Sequence, residues 1–195
     1  MNIKDFDTDF TRVLLQKYNF NLELPDHIKF YKNKLKSVNI ESDNNFNIFW
    51  NEERRVIDTV FKKYKNLRIL EIGSGIGQLS IFLKLNGINI EACEINNDRI
   101  LDFYYFCRVF KTHINMHNQK FQSLNLDNYD VFLAVDISNT ENNFKTDFKL
   151  LEKINSKNKF IFIEPFSYDD LPVTDDKKDY YKYCMEMQYK FFNSI

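Results

Sequence analysis

One stretch of this chain concentrates residues whose types and spacing suit ligand chemistry: Glu71-Ile72-Gly73-Ser74-Gly75-Ile76-Gly77. The chain holds four glycines, and three of them alternate here, so their placement carries meaning. Glycine accepts positive φ and lets a ligand approach the backbone amides, which suits a nucleotide-like group at a strand-to-helix turn. A second acid, Glu94, ends the next apolar run, Ile88-Asn89-Ile90-Glu91-Ala92-Cys93-Glu94. If the two runs are neighbouring parallel strands, Glu94 lies beside the turn, where a carboxylate can accept both hydroxyl protons of a ribose. A tight strand-to-helix turn with no ligand is the plain alternative.

Spacing separates two kinds of nucleotide ligand. The dinucleotide fingerprint needs G-x-G-x-x-G, and counting from Gly73 places Gln78 where its third glycine belongs. The chain instead reads E-x-G-x-G-x-G. Together with Glu94, this pattern resembles the S-adenosylmethionine site of class I methyltransferases, and the likeness runs over about residues 50 to 165. The resemblance implies that the glycine turn passes under the methionine part of the cofactor and that Glu94 holds its ribose. It thereby implies cofactor contacts for Glu71, Gly73, Ser74, Gly75, Gly77, Glu94 and Ile95. In that family the segment after the third strand presents an acid or amide to the adenine. Here Gln119 supplies an amide and Phe121 a ring, with Lys120 where an acid is often seen. The product of the implied reaction is S-adenosylhomocysteine.

Three residues are candidates for catalysis. Asp136 follows the fourth strand, where it would face the methyl group and also touch the cofactor; a helix-capping acid is the alternative. The family members that methylate base amino groups carry two prolines there, and Asp136-Ile137-Ser138 has neither. His27 is placed to reach over the pocket as a general base. Glu164 opens the loop Glu164-Pro165-Phe166-Ser167-Tyr168-Asp169-Asp170 on the substrate side. Methyl transfer draws much of its rate from proximity and in-line alignment, so a strong base is not required. Cys93, Cys107 and Cys184 are far apart with no C-x-x-C pair, so neither a zinc site nor a disulfide framework is expected, and the metal expectation is none.

Net charge is −1 and the pI near 6.3, whereas enzymes that modify nucleic acid usually carry a basic face. Arg54-Arg55 and Lys62, Lys63 and Lys65 read as a solvated helix stripe. A small-molecule acceptor (sugar, nucleotide-linked or amine) is therefore expected, with nucleic acid disfavoured. Two alternatives are a methyltransferase-fold scaffold partnered with another enzyme, and a different reaction on the same cofactor. No apolar run is long enough to span a membrane and the N-terminus lacks a signal pattern, so a cytoplasmic setting is expected.

The elements that must position these residues alternate. Strands are expected at 67–72, 88–94, 113–118, 129–135 and 159–164, with helices at 77–86, 97–110 and 141–154 between them. This is an α/β, doubly wound, mostly parallel Rossmann-like methyltransferase sheet. Residues 1–66 read as a helical N-terminal cap, with helices around Phe10–Leu15, from Pro25-Asp26 through Leu35, and over Phe46–Tyr64. Phe46, Phe49 and Trp50 either line a lid or pack as core. Residues 67–195 form the cofactor-binding domain. About thirty residues follow Pro165, too few for the two further strands of a full family sheet. An abbreviated or shortened end is expected, with the fifth strand's open edge covered by helices or by a second subunit in a homodimer.

Overall fold

Among the described residues, five parallel strands form one sheet in the order β3-β2-β1-β4-β5. The computed structural model describes residues 1–35, 51–135 and 160–164. Phe46, Phe49, Trp50, Asp136, the helix expected at 141–154, and the loop after Glu164 lie outside the described residues.

The N-terminal segment supplies α1 (Ile3–Lys17), α2 (Asp26–Leu35) and α3 (Asn51–Thr59), the last running into a π-helical turn at Val60–Tyr64. Within α1, Phe6, Phe10 and Leu14 recur every fourth residue and are completely buried, the stripe that a core-facing helix requires. Asn2 caps it, its side-chain oxygen accepting from Asp5 N at 2.9 Å. The helix expected to run unbroken to Tyr64 widens instead over its last turn, where Phe61 meets Phe82 edge-on with 6.2 Å between ring centroids.

The alternating unit follows: β1 (Ile69–Ile72), α4 (Gln78–Leu85), β2 (Ile90–Cys93), α5 (Asn97–Val109), β3 (Met116–His117), two 3₁₀ turns, β4 (Val131–Val135) and β5 (Phe160–Glu164). β1 pairs with β2 in the register Ile69↔Ile90 and with β4 in the register Ile69↔Val131. β4 in turn pairs with β5 from Val131↔Phe160 to Val135↔Glu164. All strands therefore point their carboxyl ends to the same edge. The order reverses between β1 and β4, and in open α/β sheets the crevice at such a reversal is where ligands bind. β3 is shorter than the run from which it was expected. Among the described residues it is an edge strand with a single partner, and Ala92↔Met116 and Cys93↔His117 form its ladder.

Alternation along each strand divides the core. Ile69, Ile90, Ala92, Met116, Val131 and Leu133 face the helices and join a cluster to which all five described helices contribute. The abundance of phenylalanine has a structural use there: Phe10 stacks on Phe106 at 4.4 Å, and Phe6 packs on both Phe82 and Phe110. Such aromatic pairs add about 0.5–1.5 kcal/mol beyond their area. A buried carboxylate completes the attachment of α1 and α2. Asp102 of α5 accepts from Lys17 Nζ, from the Tyr18 hydroxyl at 2.6 Å and faces His27 Nε2 at 3.0 Å. The N-terminal helices thus share one core with the sheet.

Candidate functional site

The glycine turn leaves β1 and is pinned at once to its neighbour: the Gly73 and Ser74 amides donate to the Cys93 carbonyl at 2.8 and 3.2 Å. Gly73, Gly75 and Gly77 all take positive φ, at 68°, 58° and 87°. Their surroundings differ. A Cβ on Gly75 would meet nothing within 4 Å among the described residues, which leave the turn open there. On Gly77 it would lie 2.3 Å from the Phe103 ring, which is completely buried. Gly77→Ala should therefore destabilise the fold by about 3 kcal/mol, combining left-handed strain with overpacking. Urea unfolding of the variant checks this, and a midpoint equal to the parent's would refute it.

Glu94, one residue beyond β2, is buried and aimed at the turn. One carboxylate oxygen accepts from Gly75 N at 3.1 Å; the other accepts from Ile95 N at 2.7 Å and Asn96 N at 3.0 Å. Arg99 Nη1 stands 3.6 Å from it. Asn96 caps α5 by accepting from Arg99 N at 3.1 Å, which sets that arginine one turn into the helix. Ile95 is 58% exposed beside this buried acid.

Glu71, which leads the motif, turns inward. Its carboxylate accepts from the Ser80 hydroxyl of α4. Burial pushes its carboxyl up to about 7; the bonds from Ser80 oppose this and the Glu94 charge adds to it. Ser74 contributes a different signal, because its hydroxyl oxygen is buried and has no hydrogen-bond partner among the described residues. Buried polar atoms are nearly always paired, so an orphan within a glycine turn marks a place that a ligand would complete.

The remaining candidates lie at varying distance from this turn in the fold. Gln119 is exposed two residues past β3, and its backbone carbonyl accepts from Cys93 Sγ at 2.9 Å. Phe121 is buried at the start of a 3₁₀ turn. Glu164 closes β5 at the same carboxyl edge, in register with Val135. His27 directs its Nε2 at Asp102, within the cluster that ties α2 to α5. Asp136 falls outside the described residues. No group of metal-ligating side chains occurs among the described residues.

Three residues at the turn were not singled out from the sequence. Gln78, the first residue of α4, donates through Nε2 to both carboxylate oxygens of Glu53 at 2.7 Å and accepts from the Tyr31 hydroxyl at 3.2 Å. All three are buried. A signal was present: Glu53 stands on the apolar stripe of α3 at helical spacing from Val56, Ile57 and Val60, where a charge is out of place.

No family model matches the chain. Among curated proteins, the ribosomal RNA small subunit methyltransferase G of Rickettsia massiliae is 23% identical over 145 residues, covering 72% of both chains. The magnesium protoporphyrin IX methyltransferase of Synechocystis PCC 6803, solved with bound S-adenosylmethionine, superposes with a TM-score of 0.51 at 12% identity, covering 87% of this chain and 84% of that one. The chain has the class I methyltransferase fold. A tRNA (uracil-54, C5)-methyltransferase from Pyrococcus abyssi overlaps less, with a TM-score of 0.39 at 16% identity over 47% of this chain. This chain spans about a quarter of that longer protein, 24% of its length.

The resemblance read from Glu71–Gly77 and Glu94 to S-adenosylmethionine-dependent methyltransferases is matched by these comparisons: the curated relative is a methyltransferase, and the structural neighbour is a methyltransferase solved with S-adenosylmethionine. The expected acceptor does not hold. A small-molecule substrate, with nucleic acid disfavoured, is contradicted by curated relatives named for ribosomal RNA. The inference from charge failed because a net charge sums over the whole surface, whereas phosphates are neutralised by local cations. Lys62, Lys63 and Lys65 are exposed together where α3 ends. No described helix of this methyltransferase fold is long and apolar enough to cross a membrane.

Proposed function

We propose that this protein transfers a methyl group from S-adenosylmethionine to ribosomal RNA of the small subunit. The observation that carries this reading is the likeness to the Rickettsia massiliae small-subunit methyltransferase, which extends over 72% of both chains. The site supports the cofactor independently. Glu94, buried against the turn, accepts the ribose hydroxyls, exchanging its bond from Gly75 N for theirs. The open space over Gly75 and the orphaned Ser74 hydroxyl take the methionine end. The exposed Ile95 side chain covers one face of the adenine, with Gln119 and Phe121 on the β3 side. The bound cofactor supplies an electrophilic methyl on a sulfonium. The chain's task is to hold that group in line with the RNA atom and to exclude water, for which positioning is the dominant contribution. A cytoplasmic setting accords with a ribosomal substrate.

The test uses tritium-labelled S-adenosylmethionine with unmodified small-subunit rRNA, intact small subunits and large-subunit rRNA. Label is expected in the small-subunit RNA, free or assembled, and not in the large-subunit RNA. Absence of label from every RNA, with cofactor binding intact, would remove the acceptor assignment.

A further inference from the structure

The helices that follow the strands return the chain to the amino edge of the sheet, opposite the glycine turn. Helix ends meet there. Phe6, near the start of α1, packs on Phe82 of α4 and on Phe110 at the end of α5. Phe61 of the π-helical turn also meets Phe82, and Met1 N donates to Asn86 Oδ1 at 3.2 Å where α4 stops. These converging ends carry Lys4, Lys62, Lys63, Lys65, Arg108 and Lys111, all exposed. None of the six pairs with a carboxylate among the described residues, whereas acids hold Lys17, Arg54 and Arg99 elsewhere. The acids on the same ends are outnumbered: Asp5 accepts from Asn2 Nδ2 at 2.7 Å, and Asp58 lies one turn before Lys62.

One of these lysines is held against its backbone preference. Lys111 has φ 50°, the single positive value among the described residues other than glycine. α5 closes as α4 does, with Thr112 N bonded to Cys107 O at 2.9 Å and Lys111 N to Arg108 O at 3.2 Å. At α4 the corresponding left-handed residue is Gly87, for which that conformation carries no strain. Asparagine is abundant in this chain and tolerates the conformation better than lysine. A strained lysine in that place points to a use for its charge.

We propose that this amino-edge patch binds the phosphate backbone of the RNA substrate, as a second contact remote from methyl transfer. The proposal rests on the RNA acceptor reading and adds the surface that holds the RNA. Exposed cations with no internal partner suit phosphates, which they neutralise with release of counterions. The 13 residues of α5 separate the patch from Glu94 by about 20 Å. A contact so far from the reacting atoms holds ground state and transition state alike, so it acts on KM and not on kcat. It also requires an RNA long enough to span both edges of the sheet, as folded ribosomal RNA does.

Labelling and binding assays on the full chain with small-subunit rRNA provide the test. The triple variant Lys62→Gln, Lys63→Gln, Lys65→Gln should raise the KM for RNA by about tenfold. It should also flatten the dependence of log affinity on log salt by about one unit per lost phosphate contact. Its kcat at saturating RNA and its calorimetric affinity for S-adenosylhomocysteine should match the parent's. Lys111→Gly removes a charge and relieves the turn, so KM should rise by about threefold while the urea midpoint does not fall. A parental KM and salt slope in the triple variant would overturn the proposal. So would an equal loss of cofactor affinity, which would mean a structural role for these lysines. Wild-type protein that binds cofactor yet labels no RNA would instead overturn the acceptor reading on which the proposal stands.

Discussion

Glu94→Ala should lower affinity for both S-adenosylmethionine and S-adenosylhomocysteine by about 3 kcal/mol, roughly a hundredfold, the worth of two hydrogen bonds to a charged acceptor. The effect is large because the carboxylate is preformed. It is 5% exposed and held by the Gly75, Ile95 and Asn96 amides, so little ordering is needed when ribose hydroxyls arrive. The same amides lose their acceptor in the variant, so a fall in thermal stability is expected alongside. Glu94→Gln separates the two effects. It keeps one acceptor oxygen for the turn but lacks the charge, so its stability should stay nearer the parent while cofactor affinity still drops by about tenfold. Calorimetric titration of both variants checks this. Parental affinity in Glu94→Ala would remove the ribose assignment.

A second large effect concerns Glu71 and pH. Burial raises its carboxyl from 4.5 to about 7 in the folded protein. Between those values the folded state holds a proton that the unfolded chain has released. Stability is therefore full below about pH 4.5 and is lost as pH rises through 7, by about 1.4 kcal/mol per pH unit within the window and about 3 kcal/mol in all. Glu71→Gln cannot ionise, yet its amide oxygen can still accept from Ser80. Relative to the parent it should gain nothing near pH 4.5 and about 3 kcal/mol by pH 8. Urea unfolding at both pH values measures the difference, in which all other titrating groups cancel. Parallel pH profiles would mean that Glu71 is ionised normally in the folded protein.

These two acids show how far the motif reached. Glu94 could be placed from sequence because the pairing of β1 with β2 follows from strands joined through α4, and the residue after an apolar strand falls at its carboxyl edge. Glu71 matched the same motif, but a motif does not say which way a side chain turns. The alternation of β1 places Glu71 with Ile69 on the helix-facing side, where Ser80 waits. Gly77 illustrates the same limit. It reads as a glycine kept for a ligand, and in the fold it is crowded by Phe103 from a helix that follows the next strand. The acceptor was not legible from composition, because net charge carries no information about where cations gather.

Local order along the chain determined much: strand and helix periods, the positive-φ turn at residues 73–77, and the stop of α4, where Ile88 N bonds to Leu83 O and Gly87 N to Lys84 O. These depend on neighbours within a few residues and so can be read from sequence. Tertiary structure alone decided that Glu53 and Tyr31 of the N-terminal helices meet Gln78 at the glycine turn, and that His27 is directed to Asp102. Those pairs lie 25, 47 and 75 positions apart. Each polar partner was chosen by burial, because a side chain removed from water bonds to whatever donor or acceptor the packed helices bring within reach.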